Sequence, residues 1–311
     1  MYRFLARRLA ASILVLVGVS FSVFLMLYLL PGDPIDIMLT QSQTQVSPEE
    51  LAALRRHYGL DQPFAIRYGR YVWNALHGDF GTSLYFERPA IEVLRQQLPA
   101  TLSLALAAMA IGVVFGLAMG ILAAVNRNSW LDQLSMVLAL GGVSIPGFWL
   151  GLMLIIIFAV TLHLLPAQGS GGLARLILPA VALGFEASAV IARITRSSML
   201  EVFQSEYILT ARGKCLSECV VILRHALRNA FIPIVTILGL QFGHLLGGAV
   251  VIEKVFARQG IGALAVDSIF AKDFIMVQTV VLVVSVVYTA LSLVVDMLYA
   301  VLDPRIRVAS Q

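Results

Sequence analysis

The stretch LPATLSLALAAMAIGVVFGLAMGILAAV, residues 98–125, decides the fold, because it contains no charged residue from Leu98 to Val125. As a helix rising 1.5 Å per residue it would be about 42 Å long, more than the ~30 Å of hydrocarbon in a bilayer. A helix of a soluble domain would carry a polar face over that length. Gly112, Gly116 and Gly120 recur every four residues along it, a ridge that lets another backbone approach closely in lipid.

Five further apolar runs flank this one: Leu9–Leu30, Leu134–Leu162, Leu176–Ala192, Ala230–Ile252 and Phe274–Val295. Backbone polar groups have no partner in lipid except one another, so the runs are expected to be helices. The run Leu176–Ala192 is short and contains Glu186, which makes it the weakest of the six by length and composition. Gly141-Gly142 with Pro146-Gly147 is expected to bend the span Leu134–Leu162. Gly239, Gly243 and Gly247 form a second ridge, open either to packing inside the chain or to a seam between subunits. Leu9–Leu30 follows Arg3, Arg7 and Arg8, but it is too long for a signal peptide and no small-residue cleavage site follows it, so it reads as an uncleaved span.

Composition agrees with this reading. Of 311 residues 59% are hydrophobic and only 13% charged, and the mean hydropathy is +0.88. A soluble domain carries about twice that charge fraction. The net charge of +4 is explained without nucleic acid by where the cations fall. With both termini inside, the cytoplasmic segments 1–8, 126–133, 193–229 and 296–311 carry 12 of the 22 Lys and Arg, whereas the short outer loops 163–175 and 253–273 carry four. That bias places the amino terminus in the cytoplasm. Two segments exceed a turn. Residues 31–97 face outside, with Ser47-Pro48-Glu49-Glu50 as a helix start and helical spacing around Leu51, Leu54 and Tyr58. Residues 193–229 face inside and are basic.

Enzymatic chemistry finds little support. Cys215 and Cys219, spaced i,i+4 on an expected cytoplasmic helix, do not make a metal site, which needs about four ligands, and His225 stands at the wrong helical angle to join them. Gly213-Lys214 resembles the tail of a phosphate-binding loop, but Ile208 and Cys215 stand where Gly and Ser or Thr are required. No nucleotide is expected to be hydrolysed by this chain. Buried ionisable residues are few: Glu186, His244 and, near a helix end, Asp296, which reads as a cap or a partner to Arg305 or Arg307. Glu186 is open to two readings, lining a wet cavity or pairing structurally. Gln241 and His244, three apart on one helix face, are open either to lining a path or to interhelical hydrogen bonding.

A series of short motifs runs through nearly the whole chain: Leu30-Pro31-Gly32-Asp33-Pro34, Tyr58-Gly59-Leu60-Asp61-Gln62-Pro63, Gly78-Asp79-Phe80-Gly81-Thr82-Ser83, Leu98-Pro99-Ala100-Thr101, Ala192-Arg193-Ile194-Thr195-Arg196-Ser197-Ser198-Met199, Arg224-His225-Ala226-Leu227-Arg228-Asn229, and at the end Asp296-Met297-Leu298-Tyr299-Ala300 with Leu302-Asp303-Pro304-Arg305-Ile306-Arg307. In this order and spacing the chain resembles the permease subunits of the dipeptide/oligopeptide/nickel class of bacterial ABC importers, specifically the first of the two paired permeases. The resemblance implies an all-α membrane protein of six transmembrane helices with the type I ABC importer permease fold and both termini cytoplasmic. Its parts would be an amino terminus and first span (1–30), a periplasmic segment (31–97), a five-helix permease core (98–302) that includes the coupling loop 193–229, and a tail (303–311).

Function follows from the same resemblance. It implies a channel-forming subunit in the bacterial inner membrane that imports peptides by alternating access, together with a second permease, two ATP-binding subunits that hold ATP and Mg, and a periplasmic substrate-binding protein. Nickel, glutathione and glycosides are alternative cargoes, and an ion-coupled carrier working alone is the alternative mechanism. The coupling helix is placed at about 206–228, with Glu206, Ala211, Arg212, Gly213, Lys214, Cys215, Leu216, Ser217 and His225 contacting the ATPase. Glu253, Phe256, Gly260 and Gly262 are placed in the outer loop near the receptor, the glycines equally readable as turn formers. Two departures stand out: Cys215 occupies the place of the family's usual glycine, so the turn there is expected to be shifted or strained, and Leu209 replaces a usual charged residue. Glu186, Gln241 and His244 are the candidate path.

Overall fold

A computed structural model describes residues 2–29, 49, 50, 53 and 61–302. The expectations for Leu30–Pro34, Ser47–Pro48, Leu51, Leu54, Tyr58–Leu60, the Asp296 side chain and the tail 303–311 lie outside the described residues.

In chain order the helices are α1 (Tyr2–Leu29), α2 (Phe64–Leu76), α3 (Ala90–Val125), α4 (Trp130–Ser144), α5 (Gly147–Thr161), α6 (Ala174–Phe203), α7 (Glu206–Gly213), α8 (Glu218–Val255), α9 (Ile261–Phe270) and α10 (Phe274–Leu302). Among the described residues there is no strand, and only Thr82 and Pro89 form an isolated bridge. Five helices, α1, α3, α6, α8 and α10, are long and apolar enough to cross a membrane, and α4 with α5 makes the sixth apolar segment.

Two spans differ from their expected form. The segment Leu134–Leu162 is not one bent rod: α4 and α5 meet at 103°. The break sits at Pro146, which lacks an amide hydrogen and holds Ile145 in an extended conformation. The helix runs straight through Gly141-Gly142, because Gly142 packs on Ala189 of α6, where a Cβ would come within 2.6 Å. The weakest span by sequence, Leu176–Ala192, is part of α6, the most enclosed of the membrane helices. Arg193 and Arg196 end the apolar run but not the helix, which continues to Phe203.

The core is built around α6. The α3 ridge lies against it: a Cβ on Gly112 would meet Ala187 at 3.0 Å, on Gly116 Ile191 at 2.7 Å, and on Gly120 Thr195 at 2.6 Å. These glycines therefore serve packing inside the chain. Gly239 and Gly243 likewise face Val295 and Tyr288 of α10, whereas Gly247 faces open space. Leu104, Leu178, Leu183, Leu245, Ile252 and Phe256 fill the outer half of the bundle. At the inner end Asp132 of α4 receives a forked bond from Arg196, 2.6 Å from Nε and 2.8 Å from Nη2, and the amide of Asn128 at 3.0 Å. Asp132 is 4% exposed, so its charge is matched within the protein.

The outer face is tied by two polar anchors. In the first, Gly81 turns the chain at φ +84°, its amide bonds Asp79 Oδ1 at 2.9 Å, and the Ser83 hydroxyl donates to Asp273, whose other oxygen caps α10 by accepting from the Met276 amide. The second is a buried cap on α9. The Ile261 amide donates to Thr101 Oγ1, the Thr101 hydroxyl donates to Glu253 Oε1, and the Ala263 amide donates to Glu253 Oε2 at 2.9 Å, with the Gly262 amide directed at the same group. Of the residues placed in the outer loop, Glu253 is instead helical, and Phe256 opens the connection but is buried. Glu253 lies in the last turn of α8 and is fully buried, Phe256 is 2% exposed, and the connection to α9 is only residues 256–260. Gly260 and Gly262 do more than turn the chain, since a Cβ on Gly260 would overlap the Glu253 carboxyl. Arg258, 4% exposed, donates to the Arg175 carbonyl at 3.1 Å, and burial pushes its guanidinium below the ordinary value while Glu253 acts in the other direction.

Candidate functional site

Two places hold the residues singled out by sequence, one on the cytoplasmic face and one at mid-membrane.

On the cytoplasmic face α7 begins after Ser205 with Glu206 in its first turn, a favourable place for an acid. Ile208 and Ala211 point inward and pack with Ala124, Met199, Val221, Ala226, Ala230 and Ile234, so α7 is fixed to the inner ends of α3, α6 and α8. The Tyr207 hydroxyl accepts from Asn229 Nδ2 at 2.7 Å and adds a polar tie to α8. The opposite side of α7, the turn beyond it and the first turns of α8 are bare: Tyr207, Leu209, Leu216 and Leu223 are all exposed. Arg212 makes a forked, solvent-exposed pair with Glu218 at 2.9 and 3.2 Å and lies over the Phe203 ring. Such a pair contributes under about 1 kcal/mol, and its effect is to hold the turn between α7 and α8 in one shape. His225 is half-buried in a π-helical stretch, Val221–Ala226, at the start of α8.

The turn itself answers the question raised by Cys215. Cys215 has φ +53°, and its amide bonds the Arg212 carbonyl at 2.9 Å. It therefore holds the left-handed position just past a helix end that glycine usually occupies. The turn has not shifted. Gly213 is an ordinary helical residue, and the strain falls on cysteine. Cys215 and Cys219 do not share a helix, because Cys215 is in the turn and Cys219 in the first turn of α8, and both are exposed. A left-handed non-glycine residue costs about 1–2 kcal/mol. Cys215→Gly is expected to raise the stability of the cytoplasmic end by about 1 kcal/mol after glycine's own entropy is counted. Thermal melting checks this, and a lower melting temperature would refute the reading of Cys215 as the strained residue of the turn.

At mid-membrane, Glu186 of α6 and His244 of α8 come together, with Oε1 and Nδ1 3.8 Å apart and side chains 43% and 65% exposed. Glu186 lies twelve residues from the outer start of α6 and His244 eleven from the outer end of α8, about 17 Å inward along each helix. Both are thus near the bilayer centre on an uncovered side of the chain. Leu240, His244, Gly247 and Val251 line one exposed stripe of α8. Gln241 does not share it: at 9% exposure it is turned into the protein, because three residues advance the helix by 300° and the 60° difference carries it under the neighbouring helices. Sequence reasoning found Glu186 and His244 as lone polar residues in apolar runs, but not that they meet. It missed Asp132, whose only signal was an acid just ahead of an apolar run.

Residues 112–308 match the family of binding-protein-dependent transport system inner membrane components, and residues 1–105 match the amino-terminal region of such membrane components. The chain is 44% identical over 307 residues to the glutathione transport system permease protein GsiC of Salmonella paratyphi A, covering 99% of each chain. It is 43% identical over 307 residues, again 99% of each, to the GsiC protein of Escherichia coli K12. Among solved structures, a chain of the inward-facing MetNI methionine ABC transporter superposes with a TM-score of 0.59 at 20% identity, covering 68% of this chain and 97% of that one. A chain of an amino acid ABC transporter superposes with a TM-score of 0.53 at 18% identity, covering 68% and 94%.

Proposed function

The chain belongs to the family of binding-protein-dependent transport system inner membrane components, and from that premise we propose that it is one of two paired permeases that carry a small peptide inward when partner ATPases move α7. Its standing as an inner-membrane permease subunit of an ABC importer of the peptide/nickel class follows from the family and its relatives. The observation that carries the mechanism is the two-sidedness of α7. One side is locked into the inner ends of three membrane helices through Ile208 and Ala211, and the other presents Leu209 to solvent. A push on the bare side would be transmitted to α3, α6 and α8 as a body, which is the requirement for rocking a path between inward- and outward-open states. The partners would be a second permease, two ATP-binding subunits holding ATP and Mg, and a periplasmic receptor. Relatives named for glutathione transport, at 43–44% identity over 99% of the chain, favour a short peptide of that kind as cargo.

The test is mild co-purification followed by uptake in proteoliposomes. The expected result is a complex with two ATPases and a second permease that accumulates glutathione only with ATP and receptor. Uptake by the isolated chain on an ion gradient would overturn the proposal. Glu186 and His244, 3.8 Å apart and both exposed at mid-membrane, are proposed to line the path. His244→Ala is expected to change uptake several-fold with little change in melting temperature, because the side chain is 65% exposed and holds no packing together. Unchanged uptake would remove His244 from the path.

A further inference from the structure

Helix α2 has three distinct sides. Phe64, Tyr68 and Tyr71 face α1: Phe64 makes ring contacts with Phe21, Phe24 and Tyr28, Tyr68 with Phe21 and Phe24, and Tyr71 with Phe24, at centroid distances of 5.1–5.8 Å. The Tyr68 hydroxyl reaches Ser20 Oγ at 2.9 Å. At 100° per residue, Ile66, Trp73 and Leu76 fall together on another side. They are 53%, 65% and 77% exposed. Arg67, Arg70 and Asn74 form the remaining edge, with Arg67 also over the Tyr28 ring, while His77, just past the helix end, packs its ring on Trp73 at 4.7 Å.

The depth of the contacts on α1 decides what covers the apolar side. Ser20 lies nine residues before Leu29, about 14 Å along the helix from its outer end. A helix whose rings reach that level cannot stand clear of the membrane in the periplasm. The adjoining surface of α1 is itself bare and apolar, with Leu14, Val17 and Phe21 exposed, so the apolar side of α2 continues a lipid-facing surface. An arrangement with α1 on one side, acyl chains against Ile66, Trp73 and Leu76 on the opposite side, and water above the edge of Arg67, Arg70 and Asn74 satisfies all three sides at once. Tryptophan at such a border has its favoured setting.

We propose that α2 is an in-plane anchor: it lies in the outer leaflet against α1, with Ile66, Trp73 and Leu76 in lipid, and does not project toward a periplasmic partner. Helix α2 is then not a docking surface for a receptor.

The test is spin labelling of the assembled transporter in vesicles of phosphatidylethanolamine and phosphatidylglycerol, in a background whose other cysteines are serine. Labels are placed singly through Ile66→Cys, Trp73→Cys, Leu76→Cys, Arg70→Cys and Asn74→Cys, and co-purification of the partner subunits confirms that each variant assembles. At 66, 73 and 76 the label is expected to be several-fold more accessible to oxygen than to a water-soluble nickel chelate, with the order reversed at 70 and 74. High chelate accessibility at all five positions would put α2 in water and overturn the proposal. Shielding of 66, 73 and 76 from both reagents would put a protein partner there and overturn it equally.

Discussion

Glu253→Ala is expected to cost the assembled transporter about 3–5 kcal/mol and to lower its melting temperature by roughly 10 °C. The reason is the number of donors that converge on one buried carboxyl. Removing it leaves the Thr101 hydroxyl and the Gly262 and Ala263 amides without a partner, inside the protein and away from water. Each such group costs about 1–3 kcal/mol when unpaired. The start of α9 would come loose from α3 and α8 together. Glu253→Gln keeps the shape but turns an amide donor toward backbone donors, so an intermediate loss is expected. Gly260→Ala should match the alanine variant of Glu253 although it removes no polar group, because its Cβ would occupy the carboxyl's place. Gly247→Ala is the control: it lies on α8 as well, but nothing stands within 4 Å of the added carbon. A Glu253→Ala protein that melts like wild type would show that water replaces the carboxyl, and that this cap does not hold the outer face.

The six membrane segments were legible because lipid imposes a single rule, that a run long enough and free of charge must be a helix. Charge was a sound guide to where a span ends and a poor guide to where a helix ends. Arg193 and Arg196 stop the apolar run of α6, yet the helix continues into the cytoplasm and uses Arg196 to bind Asp132. Proline was the better guide to the break at Pro146, and the double glycine before it misled, because in lipid a glycine signals close packing as readily as a bend. The left-handed turn at Cys215 could be anticipated from the glycine it replaces. The Glu253 cap could not, since its partner Thr101 lies 152 positions away and a glutamate after an apolar run ordinarily reads as the start of a loop. The meeting of Glu186 with His244 was hidden for the same reason: each was visible as a polar residue in an apolar run, but the register between α6 and α8 is set by packing that no local pattern records.

Leu209→Glu is expected to reduce ATP-driven uptake by at least tenfold while leaving the melting temperature of the permease within a degree or two of wild type. Leu209 is 62% exposed on the bare side of α7, so a charge there meets water in the separate chain and has little to disturb. In the proposed assembly the same position faces an ATPase subunit, and an acid buried at that contact without a partner would weaken docking by several kcal/mol. In the proposed assembly, leucine in place of the charged residue that the resemblance implies would meet an apolar counterpart. Ile208→Ala separates the two sides of the helix. Ile208 is fully buried against Met199 and Val221, and its truncation opens a cavity worth about 2–4 kcal/mol. That variant should melt earlier and lose uptake together with stability, whereas Leu209→Glu should lose uptake alone and release the ATPases during purification. If Leu209→Glu retains both its ATPases and its uptake, α7 is not the lever, and the movement must enter the membrane helices elsewhere on the cytoplasmic face.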